Sequence, residues 1–280
     1  MNLQQASKYI ITNITAIYNE REAQNICNIL LEDITQLSIT ERLINKSLQL
    51  SDNNIIKINN SVDKLLLHQP IQQIIGYTWF ANHKFMLDEN VLIPRPETDE
   101  LVAYIIAENK GKKINILDIG TGSGCIAISL KKALPNAIIT AIDISTKALN
   151  IAKQNAKNIG VEILFTELNF LNENSWNTLP KFDIIVSNPP YIKEIEQQEM
   201  SKNVLLHEPH LALFVPNNNA LIFYEKIKTF AKKHLNKNGI IWLEINETLA
   251  PETAAIFELQ GFLTKIIKDM QGKNRMIKAS

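Results

Sequence analysis

The chain has 280 residues, 45% of them hydrophobic, with 29 basic and 29 acidic side chains and a formal net charge of zero. That length accommodates one large domain and a smaller one, each with its own core, and the lack of a basic excess argues against a protein that grips nucleic acid through many phosphate contacts. Two cysteines, Cys27 and Cys125, stand far apart, which gives no metal-ligand spacing and no disulfide framework and fits a reducing compartment.

The start, Met1-Asn2-Leu3-Gln4-Gln5, is polar, with no basic region running into an apolar one. No secretory leader is therefore expected. No apolar run approaches the ~20 residues that span a bilayer. A cytoplasmic protein without a membrane partner is the expectation. Residues from about 1 to 69 read as short amphipathic helices: Ile10, Ile11, Ile14 and Ile17 recur at helical spacing, and so do Ile26, Ile29, Leu30 and Ile34. Such a bundle serves packing or partner recognition. Pro70 marks its end. From about 74 to 93 the chain reads as a strand pair, Ile74-Ile75-Gly76-Tyr77 and Phe85-Met86-Leu87, with a polar turn near Asn82-His83-Lys84. A helix is predicted from about Glu97.

From Lys113 onward strands and helices alternate. The predicted strands are Asn115–Ile119, Ala137–Ile142, Glu162–Phe165, Phe182–Ser187, Gly239–Ile245, Leu263–Lys268 and Arg275–Lys278. This rhythm implies an α/β sheet, parallel for most of its strands and covered on both faces. Ligands of such sheets bind beyond the carboxyl ends of the strands, and each motif below falls at such an end.

The first motif is Ile116-Leu117-Asp118-Ile119-Gly120-Thr121-Gly122-Ser123-Gly124-Cys125-Ile126-Ala127. A strand runs into three alternating glycines and then a helix. Glycine permits positive φ and close backbone approach, and a helix N-terminus offers free N–H groups. A dinucleotide fingerprint reads G-x-G-x-x-G. Here the spacing is G-x-G-x-G, with Asp118 two positions before the first glycine, a form typical of S-adenosylmethionine sites. Asp143 ends the next strand, where its carboxylate can accept both ribose hydroxyl protons. A capped turn without a ligand is the competing reading of either feature alone; the two together favour the cofactor.

The second motif is Phe182-Asp183-Ile184-Ile185-Val186-Ser187-Asn188-Pro189-Pro190-Tyr191. Two prolines stiffen the chain where a buried strand stops. An amide or aromatic amino nitrogen is a poor nucleophile, because its lone pair is delocalised. The Asn188 side-chain oxygen and the Pro189 carbonyl can hold its two hydrogens and aim the lone pair at a sulfonium methyl. Tyr191 offers a flat face for stacking, and no general base is required, since the proton can leave after transfer. Among other residues, Arg95 between two prolines reads as a substrate contact or an ion pair with Glu97, and Glu100 as surface. His207 lacks a neighbouring nucleophile, and Cys125 reads as a small apolar filler.

These residues resemble the family of protein-(glutamine-N(5)) methyltransferases that act on bacterial-type peptide chain release factors, and the likeness covers nearly the whole chain. Pro70–Gly76 is similar to the family's linker, Val91-Leu92-Ile93-Pro94-Arg95-Pro96-Glu97-Thr98 to a highly distinctive segment of the family, and Leu117–Ala127 and Ser187–Ile192 to its cofactor and catalytic motifs. Glu208-Pro209 with Ala212-Leu213-Phe214, and then Asp269, Gly272 and Arg275, match further downstream. The resemblance implies a helical substrate-recognition domain over 1–72, a β-hairpin linker over 73–95 and a Rossmann-like class I S-adenosylmethionine-dependent methyltransferase domain over 96–280. It implies that Asn188, Pro189, Pro190 and Tyr191 are catalytic and hold the substrate. Asp118, Gly120, Thr121, Gly122, Ser123, Gly124, Asp143 and Asn188 would hold the cofactor, and Phe85 and Arg95 would line the substrate mouth. The implied substrate is the glutamine of the release factor's Gly-Gly-Gln loop, and the expected state is a monomer without sequence-specific nucleic-acid binding.

The sequence departs from the family in Thr166-Glu167-Leu168-Asn169-Phe170-Leu171, where an Asp followed by an aromatic is usual. Glu167 or Asn169 can supply the polar adenine contact, and the Asn169/Phe170 register is favoured. Asn219-Ala220-Leu221 and Asn246-Glu247-Thr248 depart as well. Two other readings compete: a methyltransferase for adenine or guanine amino groups in DNA or RNA, which uses the same Asn-Pro-Pro-Tyr logic with base flipping, and a non-catalytic module that keeps the fold.

Overall fold

A computed structural model describes residues 1–280. Two compact units divide the chain, Met1–Tyr77 with Met200–His207, and Thr78–Glu199 with Glu208–Ser280.

The first unit is helical: α1 (Leu3–Ile14), α2 (Glu20–Thr35), α3 (Ile39–Ile44), α4 (Asp52–Leu66) and α5 (Ile71–Ile75). Asn2, Asn19, Ser38 and Ser51 start the first four, each side-chain oxygen accepting from the backbone N–H three residues on. Such caps satisfy donors that a helix start leaves unpaired. Ile10, Ile14, Ile26 and Leu30 are buried, and Ile11, Ile17, Ile29 and Ile34 pack around them, as the helical spacing predicts. The segment Met200–His207 is fixed within this unit by His207. Its Nε2 donates to the Leu67 carbonyl (2.8 Å), and its own carbonyl accepts from Gln73 Nε2 (2.7 Å).

One expectation fails at Ile74-Ile75. These residues lie in α5, not in a strand. Pro70 starts the turn, and Gly76 ends it at φ 79°, a left-handed stop that suits glycine. The hairpin follows as β1 (Tyr77–Phe80) and β2 (His83–Met86). Its turn is Ala81-Asn82, both at positive φ (46° and 62°), the twist that two-residue hairpins need.

The second unit continues with α6 (Pro96–Asn109), β3 (Asn115–Ile119), α7 (Cys125–Ala133), β4 (Ile138–Asp143), α8 (Thr146–Ile159), β5 (Leu164–Glu167), β6 (Phe182–Ser187) and β7 (Ile192–Lys193). After α9 (Lys202–His207), which belongs to the first unit, come β8 (Phe214–Val215), α10 (Ile222–His234), β9 (Leu235–Glu244), α11 (Ala250–Glu258), β10 (Thr264–Lys268) and β11 (Asn274–Ala279). Seven strands form one sheet in the order β10-β11-β9-β6-β3-β4-β5. The β9-β6, β6-β3, β3-β4 and β4-β5 pairs are parallel, and β11 runs antiparallel to both its neighbours.

Both faces of the inner strands β3, β4 and β6 are buried, which is why these strands read as mostly apolar runs. Leu117, Ile185, Ile241 and Leu243 pack with Tyr224, Phe230 and Phe257 on one face. Ile116, Ile184 and Trp242 pack with Leu101, Ile105 and Ile128 on the other. The strand order reverses around β3, which pairs with β4 on one side and β6 on the other. Such a switch point opens a crevice at the strands' carboxyl ends.

Candidate functional site

The crevice beyond β3 begins with the glycine loop. Gly120, Gly122 and Gly124 take φ of 73°, 55° and 82°, a region L side chains rarely enter. The glycines differ in what surrounds them. A Cβ on Gly124 would meet Ile128 Cδ1 at 2.7 Å and Ala152 Cβ at 3.1 Å, so this glycine lets α7 approach α8. A Cβ on Gly120 or Gly122 would meet no protein atom within 4 Å; these two line the cleft and leave room for a ligand. Asp143 shapes the loop from the end of β4. Its Oδ2 accepts from the Gly122 N–H (2.9 Å) and its Oδ1 from the Ser145 N–H (2.9 Å). It also lines the cleft, where burial holds its carboxyl above the ordinary carboxylate range.

Asp118 is placed differently. It is fully buried and does not line the cleft. Its Oδ2 accepts from Thr121 Oγ1 (2.6 Å), and its Oδ1 has no hydrogen-bond partner. Burial pushes its carboxyl up to about 7, against the hydrogen bond from Thr121. Asp118, Thr121, Ser123 and Gly124 thus form the loop's foundation, while Gly120 and Gly122 face the cleft. Asn155 of α8, unremarked in the sequence, completes that foundation. It is fully buried, takes the Met86 N–H on its Oδ1 (2.8 Å) and donates from Nδ2 to the carbonyls of Met86 (3.1 Å) and Ser123 (2.9 Å).

The third wall follows β5. Asn169 and Phe170 line the cleft and Glu167 does not; Glu167 instead accepts from Thr146 Oγ1 (2.7 Å). Asn169 Oδ1 accepts from the Leu171 N–H (3.0 Å). Phe170 is held by Trp176 and Phe230, with ring centroids 5.3 and 5.4 Å away.

Asn188, Pro189 and Pro190 close the cleft at the end of β6. Ser187 anchors the corner through its hydroxyl, which donates to the Ile119 carbonyl (2.7 Å). Asn188 Nδ2 donates to Thr98 Oγ1 (3.2 Å), and Thr98 Oγ1 donates to Glu244 Oε2 (2.6 Å). Glu244 lies at the end of β9, 2% exposed, and burial pushes its carboxyl up to about 7 although Thr98 and Arg275 oppose the shift.

Three expected substrate contacts stand elsewhere. Tyr191 is not part of the cleft lining: its partly buried ring packs against one core cluster and its hydroxyl bonds Arg275. Arg95 pairs with Glu208 (2.6 Å) rather than with Glu97. Glu208 is 4% exposed and its other oxygen accepts from the Ile93 N–H (3.2 Å), so the two family segments matched in the sequence clasp each other. Phe85 does not reach a mouth at all. It is 0% exposed and meets Phe80 edge-on at 5.9 Å, because β2 turns alternate residues inward and Phe85 is on the inner side. Cys125, whose thiol burial pushes up to about 12, is the inert filler expected. His207 is tied to Leu67 and is not among the residues that line the cleft.

The cleft is mostly apolar, with the Asp143 carboxylate, the side-chain amides of Asn90 and Asn169 and the rigid Asn188-Pro189-Pro190 corner converging on it. The family profile described as a methyltransferase small domain matches residues 98–215. The release factor glutamine methyltransferase of Flavobacterium psychrophilum is 45% identical over 272 residues, covering 95% of both chains. That of Bacteroides thetaiotaomicron is 37% identical, covering 97% of this chain and 98% of its own. The crystal structure of a methyltransferase from Pyrococcus furiosus superposes with a TM-score of 0.52 at 18% identity, over 79% of this chain and 97% of the other, and shares the fold.

Proposed function

The chain belongs to the release factor glutamine methyltransferase family, and from that membership we propose that it transfers a methyl group from S-adenosylmethionine to the side-chain amide nitrogen of the glutamine in a release factor's Gly-Gly-Gln loop. Its catalytic unit has the Rossmann-like fold of class I methyltransferases.

The observation that carries the reading is Asn188. Its amide sits on the same cleft as the glycine loop and Asp143, and its Nδ2 is occupied by Thr98. The Oδ1 is then left to accept from an incoming amide N–H. Pro189, through its carbonyl, takes the second N–H. Both acceptors gain strength as positive charge develops on the nitrogen, so they stabilise the transition state more than the ground state. Holding the nitrogen in line replaces a bimolecular encounter with a positioned one.

S-adenosylmethionine supplies an electrophilic methyl on a positively charged sulfur. The residues fit it: Gly120 and Gly122 leave open space on the cleft, and the Asp143 carboxylate there would accept from the ribose hydroxyls. Asn169 and Phe170, which line the same cleft, would flank the adenine. Asp118, Thr121, Ser123 and Gly124 hold the loop from beneath, and Pro190 and Tyr191 stiffen the corner. The helices over 1–72 and the hairpin over 73–95 engage the release factor, with residues 96–280 catalytic. Arg95, held by Glu208, keeps the Pro94–Thr98 segment in place beside the substrate path. The enzyme works as a monomer in the cytoplasm, without sequence-specific nucleic-acid contact; no helix is long and apolar enough to cross a membrane.

The test is direct. The purified chain is incubated with S-adenosylmethionine and an unmethylated recombinant release factor, and peptides are mapped by mass spectrometry. One added methyl on the Gly-Gly-Gln glutamine is expected. Methylation of nucleic acid in the same mixture, with the factor unmodified, would move the chain to the amino-group alternative.

A further inference from the structure

We propose that Thr98 and Glu244 set which end of the Asn188 amide faces the methyl acceptor, making Thr98 a positioning residue that acts through Asn188. The inference rests on the reading of Asn188 as the group that holds the substrate amide.

The argument is one of proton counting. Thr98 is 2% exposed and its hydroxyl has a single proton. A carboxylate can only accept, so with Glu244 ionised the Thr98 proton lies on the 2.6 Å bond to Oε2. The remaining lone pairs of Thr98 Oγ1 then face Asn188, and only an N–H can meet them. The 3.2 Å contact is therefore to Nδ2, and Oδ1, on the opposite side of the planar amide, is turned outward. A flipped amide would set Oδ1 against Oγ1 lone pairs and present two donors to the acceptor, whose own N–H groups need acceptors. No hydrophobic packing distinguishes the two flips, since the amide's oxygen and nitrogen are nearly the same size. The choice is made by hydrogen-bond polarity alone, and that polarity is set from the far end of β9.

The arrangement also couples orientation to charge. Glu244 is faced by Arg95 and Glu97 at the start of α6, by Arg275 of β11, by the hydroxyls of Tyr191 and Tyr224, and by Cys125 of α7. It forms no direct ion pair with the arginines, and burial raises its carboxyl to about 7. Once protonated, the carboxyl can donate to Thr98 Oγ1. The Thr98 proton is then released toward Asn188 and favours the flipped amide. The acceptor-facing oxygen is thus available above the Glu244 titration and lost below it.

Thr98→Val removes the hydroxyl at nearly constant shape, and Thr98→Ser keeps it. Turnover of an unmethylated release factor is measured at pH 8 and across pH 5.5–8.5, with S-adenosylmethionine affinity by calorimetry. Exchange of the Asn188 side-chain amide protons is followed by NMR on asparagine-labelled protein. The expected result for Thr98→Val is a kcat at least about tenfold lower, cofactor affinity within about twofold, and loss of the acidic limb seen in the unaltered enzyme. Thr98→Ser should stay within about threefold. Wild-type turnover in Thr98→Val would overturn the proposal, and so would an equal loss in Thr98→Ser, which would point to packing. If the unaltered chain leaves the release factor unmethylated, the functional reading fails on its own and the exchange measurement decides: slower Asn188 exchange in the unaltered chain than in Thr98→Val supports the assigned bond, and equal exchange overturns it.

Discussion

Replacing Asn155 with alanine tests whether the glycine loop is held from beneath by α8. Asn155 is fully buried and makes three hydrogen bonds, two to Met86 at the end of β2 and one to the Ser123 carbonyl. Each such bond contributes about 1 kcal/mol net, and a buried group left unpaired costs ~1–3 kcal/mol. Alanine restores none of the three, so a loss of at least about 3 kcal/mol is expected. A domain of this size shifts by roughly 2–4 °C per kcal/mol, which places the melting temperature ~6–12 °C lower. Calorimetry and urea denaturation give the two numbers independently. Asn158→Ala, three residues along the same helix, is the comparison: Asn158 is exposed and bonds only Gln154, so its change should stay within about 0.5 kcal/mol. S-adenosylmethionine affinity should fall in Asn155→Ala and hold in Asn158→Ala. If Asn155→Ala melts within about 2 °C of the unaltered protein, these three bonds anchor nothing, and the account of the loop's foundation is wrong.

Asn188→Ala should lower kcat by about a hundredfold or more with cofactor affinity within about twofold; an equal loss of affinity, read by calorimetry, would remove its role on the substrate. Asp143→Ala should weaken S-adenosylmethionine about ten- to a hundredfold, because it loses both the proposed ribose contact and the Gly122 and Ser145 clamps; unchanged affinity would refute the assignment. Stability should fall as pH rises from about 5 to 8. The carboxyls of Asp118 and Glu244 are both raised to about 7 in the folded chain, so between their ordinary values and 7 the folded state binds more protons than the unfolded one. They contribute stabilisations of roughly 4 and 3 kcal/mol respectively at low pH that are lost on ionisation. Asp118→Asn or Glu244→Gln should flatten the pH dependence of the urea midpoint.

The sequence was most legible where local chemistry decides conformation. β3 and β6 occupy the predicted Asn115–Ile119 and Phe182–Ser187, because both are apolar runs ended by residues that cannot extend a strand. The three alternating glycines fall in left-handed backbone as their spacing suggests. The limits lie in side-chain direction and in distance along the chain. A carboxylate before a glycine loop can point at a ligand or at the loop's own threonine, and Asp118 does the second. Ile74-Ile75 suits a strand or a helix equally, and Pro70 with Gly76 decides for the helix. Nothing local joins Thr98 to Glu244, which lie 146 residues apart. A trace was nonetheless present, since a lone glutamate closing the apolar run Ile240-Ile241-Trp242-Leu243-Glu244 needs a partner once buried.

The membership of Met200–His207 in the first unit bears on how the chain is made. His207 supplies the ring that seals Leu67 and the carbonyl that receives Gln73, yet it is synthesised 130 residues after Tyr77, where the unit's continuous stretch ends. At about 5–20 residues per second, the ribosome leaves the nascent helices without their last piece for roughly 7–26 s, while most of the central sheet emerges. An enzyme that modifies the translation machinery therefore completes its own amino-terminal unit late in translation, and a deletion ending at residue 77 would strand a segment whose partners had been removed.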